Sequence, residues 1–158
     1  MRRHAYDVGV EWTGNDGTGT RSYRGYRRDH VITVADRPII AASSDPAFRG
    51  NPGRYNPEEL LVAALAGCHM LSYLHLCALN GISVIDYRDA AHGVMEETDD
   101  GAGAFVRVTL RPRVTIEPGG DRAKALALHD DAHHVCFIAR SVNFPVDVAP
   151  LVEIGKPL

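Results

Sequence analysis

The chain has 158 residues, of which 45% are hydrophobic, and a formal net charge of −3 from 17 basic and 20 acidic side chains. This length and composition fit a single domain, residues 1–158, with a core of its own. Because the two signs of charge are interleaved along the chain, we expect no nucleic-acid partner. No signal-peptide pattern precedes the first strand-like segment, so we expect a cytoplasmic protein.

The first 42 residues predict three strands in an antiparallel meander. Residues 5–12, 22–34 and 37–42 alternate between apolar and polar side chains or are rich in β-branched residues, and the glycine-rich run 13–20 separates the first two. The irregular stretch 43–55 follows. A loop of that length in a small domain is usually functional or disordered.

One long helix is predicted over residues 57–79. Asn56 and Glu59 have the spacing of a capping box, and Pro57 suits the first helical turn, where its missing N–H costs nothing. Gly81 follows the last apolar residue and provides the left-handed conformation that ends many helices.

The apolar part of this helix, Leu60 to Leu79, is long enough to cross a membrane. The alanine content and the polar residues His69, Ser72 and His75 oppose that interpretation. We therefore expect no membrane partner. A helix that is apolar nearly all round is expected either inside a domain or between two subunits.

The remaining sequence predicts two paired strands, a second helix and a last strand. Residues 82–97 and 105–118 are extended runs joined by a glycine-containing turn. Asp121 opens a helical pattern over 122–142, after which residues 142–154 return to a strand pattern. The order β-β-β-α-β-β-α-β indicates an α+β fold.

Cys68 lies in the middle of the long helix. A thiol buried among Leu and Val ionises poorly, and the helix N-terminus is too far away to help. A reactive Cys68 would therefore need a cation from another segment. The loop before the helix carries Arg49 and Arg54, and a guanidinium keeps its charge when buried. A nearby carboxylate, Glu58 or Glu59, would orient such an arginine.

Two sequence motifs carry a family resemblance. NPEEL at 56–60, with Ala63 and Cys68, gives the pattern NPEELxxAxxxxC, and residues 132–136 give AHxxC, which ends at Cys136. The chain thus resembles the OsmC/Ohr family of thiol-dependent peroxidases, and within it the OsmC-like branch. The resemblance implies an intertwined homodimer with the two long helices packed centrally and active sites at the subunit interface.

The resemblance also implies a role for each candidate residue. Cys68 would be the peroxidatic cysteine that attacks an organic hydroperoxide, and Cys136 the resolving cysteine that forms a disulfide with it. Glu58 matches the family glutamate. The family arginine has three candidates here: Arg49, which the OsmC-like branch favours, Arg21 and Arg54. An external dithiol or a lipoylated protein would reduce the disulfide, and no cofactor or metal is implied.

Two other functions stay open. The chain could be a non-enzymatic dimeric scaffold or ligand-binding protein that kept the fold. It could also bind a metal ion through its cysteines and histidines, since these side chains are zinc ligands: Cys68, His69, His133, His134 and Cys136. By residue type alone, Cys77 is expected to be a small core residue and His75 a hydrogen-bonded core histidine.

Overall fold

The computed structural model describes residues 1–156, which contain two α-helices and nine β-strands. This composition confirms the α+β class. Two compact units are present, Met1–Leu61 and the segment from Val62 onwards. That residues 1–158 form one domain stays a prediction.

The first unit has the expected antiparallel meander with shorter strands than predicted. Its strands are β1 (Gly9–Trp12), β2 (His30–Thr33) and β3 (Ile40–Ala42), in the order β1-β2-β3. Residues 22–29 are not a strand, because local contacts compete with strand pairing. The Arg28 guanidinium stacks on the rings of Tyr23 and Tyr26 and donates hydrogen bonds to both of their backbone carbonyls.

The glycine-rich turn before these residues is held by the only tryptophan of the chain. The indole Nε1–H of Trp12 donates to the carbonyl of Arg27 at 2.8 Å, and its ring packs nearly perpendicular to the ring of Tyr26. Arg27 in turn binds Asp16 and the buried Asp29. These contacts fix the turn within the first unit.

The long helix α1 (Pro57–Leu79) has the predicted bounds. Its capping box is formed: the backbone N–H of Asn56 donates to Glu59 Oε2 at 3.2 Å, and the N–H of Glu59 donates to Asn56 Oδ1 at 2.8 Å. Gly81 follows with a φ of 69°. Both ends are therefore set by local sequence.

The second unit contains two three-stranded sheets. Their strands are β4 (Val84–Asp89), β5 (His92–Glu97), β6 (Gly103–Leu110), β7 (Pro112–Ile116), β8 (Val146–Val148) and β9 (Leu151–Ile154). The orders are β4-β7-β9 and β5-β6-β8, with an antiparallel first pair and a parallel second pair. The predicted pairing of the two extended runs is confirmed.

Each of those two runs is divided into two strands rather than one. At the break, Asp89 Oδ1 accepts a hydrogen bond from the backbone N–H of Arg111 at 2.8 Å, so a side chain takes the place of a strand-to-strand bond. Pro112 has no N–H to continue the ladder and begins the next strand. The predicted order of elements therefore holds with additional strands.

The second helix, α2 (Arg122–Val135), begins at the predicted cap, where the Asp121 side chain accepts from the N–H of Lys124. It ends before Cys136, whereas the sequence pattern predicts a helix to residue 142. The N–H of Cys136 bonds back only three residues, to the carbonyl of His133, and Cys136 itself is extended. This tightened last turn buries the Cys136 side chain.

One face of α1 supplies the core of the second unit. Every fourth residue is buried, and these residues pack against the sheets and α2: Leu65, His69, Tyr73 and Cys77. The other face carries Leu71 and Leu79, which are 65% and 70% exposed. The expectation of a helix buried all round is thus met on one face only within a single chain.

By length and hydropathy alone, α1 would also qualify as a membrane span. This is weak support for a membrane protein, because the core helix of a globular domain has the same composition. The face of α1 that packs into the core includes the polar side chains of His69 and Tyr73.

Candidate active site

The thiols of Cys68 and Cys136 are neighbours, close enough for Cys68 to influence the pKa of the Cys136 thiol. Cys68 comes from the middle of α1, and Cys136 caps the end of α2. Both are free thiols in this structure. The fold therefore brings together two of the four predicted site residues, although 68 residues separate them in the sequence.

The two thiols have different environments. Cys68 is half-buried, whereas Cys136 is 1% exposed. Burial, and after it the hydrogen bond to Cys68, raises the pKa of Cys136 to about 11. Cys136 therefore keeps its proton at neutral pH, and Cys68 is the thiol that solvent or a ligand reaches first.

Cys77 is not part of this pair. It lies in the core of the second unit, and burial raises the pKa of its thiol. A protonated, enclosed thiol of this kind is chemically inert, as expected of a small core residue.

Cys68 opens into an apolar groove of about 770 Å³. Six of its lining residues define this groove: Ala64, Gly67, Leu71, His75, Val135 and Phe137. Phe137 is 79% exposed at its rim. The groove can surround the organic part of a small molecule or receive the apolar surface of a protein.

The prediction that His75 is a core histidine is wrong. His75 is exposed on the groove side of α1. The reason is its position on the helix, since two residues after the buried Tyr73 the side chain points to the opposite face.

The three candidate arginines, Arg21, Arg49 and Arg54, all belong to the first unit and differ in their contacts. Arg54 donates to the carbonyl of His30 at 3.3 Å and lies 3.8 Å from Asp29 Oδ2. Arg49 is exposed, in a left-handed backbone conformation with a φ of 65°, and its guanidinium has no hydrogen bond or ion pair within residues 1–156. Arg21 is exposed as well. Arg54 thus stabilises the first unit through its contacts, whereas no contact within the described residues occupies the guanidinium of Arg49.

Glu58 has an incomplete set of contacts. Its Oε2 atom is buried and has no hydrogen-bond partner in the described part of the chain. A carboxylate oxygen in such a position favours a cationic neighbour. Glu58 and Arg49 both belong to the first unit, and their roles at the thiol pair stay predictions.

The sequence interpretation missed a buried histidine pair. His69 Nε2 and His129 Nδ1 are 3.0 Å apart, and both residues are fully buried between α1 and α2. The Tyr73 ring stacks on His129 at 3.8 Å between centroids, and its hydroxyl donates to the carbonyl of Ala125. The sequence signal that could have indicated this cluster is the spacing of His69 and Tyr73, because residues four apart share a helix face.

These contacts also bear on the metal-binding alternative. Nowhere in residues 1–156 do three or more His, Cys, Asp or Glu side chains converge so that they could hold a metal ion. His69 is bonded to His129, His134 is exposed, and the Cys136 thiol neighbours Cys68. The five proposed ligands therefore do not form one site.

Two neighbouring thiols on an α+β scaffold, one open to an apolar groove, are an arrangement that thiol redox chemistry can use. The profile of a family described as OsmC-like protein matches residues 50–150, a range that includes both cysteines. The chain belongs to this OsmC/Ohr family, which confirms the resemblance.

Individual proteins are similar over nearly the whole chain. The uncharacterized protein YmaD of Bacillus subtilis is 24% identical over 161 residues, which cover 98% of this chain and 99% of YmaD. An OsmC-like protein of unknown function from Vibrio cholerae is 29% identical, with a TM-score of 0.85 over 94% of this chain and 100% of that one. An organic hydroperoxide resistance protein OsmC from Legionella pneumophila has a TM-score of 0.67 at 21% identity, over 96% of this chain and 99% of its own.

Proposed function

We propose that the protein is a thiol-dependent peroxidase that reduces organic hydroperoxides, and hydrogen peroxide less well, through Cys68 and Cys136. The proximity of the two thiols carries this proposal, because Cys68 influences the pKa of Cys136 and a disulfide requires two neighbouring cysteines. Structural relatives from Legionella pneumophila and Bacillus subtilis are named organic hydroperoxide resistance proteins, and those names suggest the substrate class.

The reaction balances with two electrons. The Cys68 thiolate attacks the terminal oxygen of the hydroperoxide, the O–O bond breaks, and the alkoxide leaves and is protonated to an alcohol. Cys68 becomes a sulfenic acid. Cys136 sulfur then attacks Cys68 sulfur, the S–S bond forms, and the S–O bond breaks to release water. An external dithiol or a lipoylated protein supplies the electrons that restore both thiols.

The different exposure of the thiols supports this division of roles. Cys68 faces the groove, where the organic part of a hydroperoxide finds apolar side chains. Cys136 is enclosed and protonated, so it waits for an oxidised Cys68 rather than meeting peroxide itself.

Arg49 is proposed as the charge that stabilises the Cys68 thiolate and the leaving alkoxide, with Glu58 as its orienting carboxylate. The free guanidinium of Arg49 and the unpartnered Oε2 of Glu58 support this assignment over Arg54, which contacts Asp29. The planar guanidinium can bind a carboxylate and an oxyanion at the same time.

A homodimer in the cytoplasm is proposed as the working form. The apolar groove side of α1 includes the exposed Leu71, and Leu79 is also exposed on this helix, so a second copy of α1 has an apolar surface to cover. No cofactor enters the proposed reaction.

Thiol counting tests the peroxidase against a non-enzymatic scaffold. One equivalent of an organic hydroperoxide should remove two of the three free thiols per chain and leave Cys77. Intact mass should show the loss of two hydrogens, and peptide mapping a Cys68–Cys136 disulfide. The Cys77→Ser variant is the matched control and should lose both of its remaining thiols. An unchanged thiol count in the wild type would favour the scaffold.

A further inference from the structure

Gly67 is a glycine that the packing of a single chain does not require. It lies inside α1 with a helical backbone, where glycine is one of the most destabilising residues. A Cβ at this position would meet no heavy atom of the described chain within 4 Å, apart from its chain neighbours and the backbone of its own helix. Alanine would therefore fit here and strengthen the helix.

Gly93 of β5 is a glycine that the packing does require. A Cβ there would lie 2.7 Å from Val62 Cγ2 of α1 and 2.8 Å from Phe105 Cε1 of β6. A side chain at Gly93 would therefore force neighbouring elements apart. Gly67 has no such neighbour, so the space that its missing side chain leaves is on the open side of α1.

That space lies beside Cys68. Gly67 directly precedes Cys68, both residues line the apolar groove, and Ala64 and Leu71 lie about one turn to either side on the same strip of the helix. Because Ala64 and Gly67 are small, the helix surface is low next to the thiol. A molecule that reaches the Cys68 sulfur can therefore place an apolar group in the space over Gly67.

Phe137 adds an apolar wall to the same groove. It directly follows Cys136, and its ring is 79% exposed at the groove rim. The next two residues, Ile138 and Ala139, pack against the core of the second unit, but Phe137 belongs to neither core cluster of the described chain. The core thus makes no use of this ring, while the buried Cys136 anchors the backbone next to it.

The size and lining of the groove favour a small molecule as its occupant. Its volume of about 770 Å³ lies within the range of small-molecule sites, roughly 300–1,000 Å³. Its lining is apolar except for the thiol of Cys68 and the side chains of Ser72 and His75. The exposed Leu71 can also meet the proposed second copy, whereas Gly67 is half-buried next to the thiol.

We propose that Gly67 and Phe137 are specificity-determining residues, which adapt the groove to hydroperoxides with a bulky apolar group next to the O–O bond. This inference rests on the proposed function and names a narrower substrate class for the same site. The apolar group occupies the space over Gly67 and packs against the Phe137 ring, so that the terminal peroxide oxygen faces the Cys68 sulfur. Hydrogen peroxide has no such group and makes neither contact.

Added side chains at Gly67 test the space directly. Gly67→Ala should raise the melting temperature by about 3 °C, because alanine favours the helix, and Gly67→Val should fill the space beside the thiol. Single-turnover rates of Cys68 oxidation are measured with cumene hydroperoxide, tert-butyl hydroperoxide and hydrogen peroxide. We expect Gly67→Val to lower the rate ratio of cumene hydroperoxide to hydrogen peroxide about 10-fold, and tert-butyl hydroperoxide to be affected less.

Two variants are matched controls for Gly67. Ala78→Val places the same branched side chain at an exposed position of α1 that does not line the groove, and it should leave the three rates in their wild-type ratio. Gly93→Ala adds a methyl group at the crowded glycine. It should lower the melting temperature, opposite to Gly67→Ala.

Phe137→Ser tests the apolar wall. Because the ring is exposed, the melting temperature should not change, and the rate ratio of cumene hydroperoxide to hydrogen peroxide should fall about 10-fold. Phe137→Leu keeps an apolar side chain and should recover most of this ratio. Such a rescue distinguishes an apolar wall from a role of the ring in positioning Cys136.

Contrary results would overturn the inference in different ways. Equal losses with all three peroxides in folded variants would indicate general damage to the site instead of selection by size. An unchanged peroxide preference in Gly67→Val, with a shift towards monomer in sedimentation, would assign Gly67 to a contact between subunits. A wild type that consumes none of the three peroxides would overturn the proposed function, and this inference with it.

Discussion

Cys68 and Cys136 are chemically identical side chains, and their surroundings separate them. The half-buried Cys68 opens into the groove, and the enclosed Cys136 holds its proton because burial raises its pKa. A hydroperoxide, the proposed substrate, would therefore meet Cys68 first. This order is what a two-step mechanism requires, since the resolving thiol must stay reduced until a sulfenic acid stands next to it.

Cys136→Ser should trap that intermediate. Without a resolving thiol, the Cys68 sulfenic acid is expected to accumulate with one equivalent of organic hydroperoxide and to progress to sulfinic acid in excess. Intact mass spectrometry measures both products. The Cys77→Ser variant, which keeps the thiol pair, should form neither. Failure of the sulfenic acid to accumulate in Cys136→Ser would remove Cys68 from the first step.

Arg49→Ala should lower the peroxidase rate and not the stability, whereas Arg54→Ala should lower the stability and not the rate. Arg49→Ala is expected to lower the peroxidase rate by about 100-fold without changing the melting temperature, because its guanidinium has no partner within the described residues. Arg54→Ala should leave the rate near wild type and lower the free energy of unfolding by about 1 kcal/mol, because buried Asp29 loses a contact. Peroxide consumption assays and chemical denaturation measure these effects. A fully active Arg49→Ala protein would exclude Arg49 from the mechanism.

The two helices of the second unit are connected by polar contacts that the sequence did not predict. The His69–His129 contact and the hydroxyl of Tyr73 on the Ala125 carbonyl join α1 to α2. These contacts place neutral imidazoles in the core. The stability that these contacts give to the folded state depends on pH, because imidazoles in the unfolded chain bind protons more readily.

Acid should destabilise the protein through this pair. The pKa of His69 is lowered to about 4 and that of His129 to about 3, against 6.5 in an unfolded chain. Between these values the unfolded state binds more protons, so the contribution is complete above pH 6.5 and is lost as the pH falls towards 3. Denaturant unfolding at several pH values should show this slope. The double variant His69→Gln/His129→Asn, whose amides do not titrate, should flatten it, and an unchanged slope would contradict the assignment.

Elements with local signals were predicted well. The bounds of α1 follow from Asn56, Glu59 and Gly81, which act within a few residues of themselves. The predicted end of α2 was wrong because residues 136–142 continue an apolar helical spacing, whereas the chain turns at this point and buries Cys136. His129 was missed because its partner is 60 residues away. The motifs predicted the cysteine pair through resemblance, not through geometry.

At the scale of the whole molecule, one apolar face of α1 is left exposed in a single chain. Leu71 and Leu79 are exposed on the same helix whose opposite side forms the core. Apolar side chains exposed together in this way mark an association surface. The proposed second copy would cover them.

Leu71→Glu should weaken the proposed dimer, because a carboxylate buried in an apolar interface loses its hydration. Sedimentation analysis is expected to show a shift towards monomer. Ile85→Glu, at an apolar residue of β4 that is also exposed, is the matched control and should leave the assembly unchanged. Monomeric wild-type protein at micromolar concentration would contradict the dimer.

Subunit mixing tests whether two chains share one active site. If Arg49 acts on Cys68 of the other subunit, heterodimers of Cys68→Ser and Arg49→Ala contain one intact and one doubly defective site. Peroxidase activity should then return on mixing. Verified heterodimers without activity would assign both residues to the same subunit.

Trp12 gives the molecule a built-in optical probe. The only indole of the chain is anchored to the Arg27 carbonyl within the first unit, whereas most helical residues belong to the second. Tryptophan fluorescence therefore follows the opening of residues 1–61, and far-ultraviolet circular dichroism follows mainly α1 and α2. If residues 1–158 unfold as one cooperative domain, the two signals change at the same denaturant concentration. Separated midpoints would reveal two cooperative units.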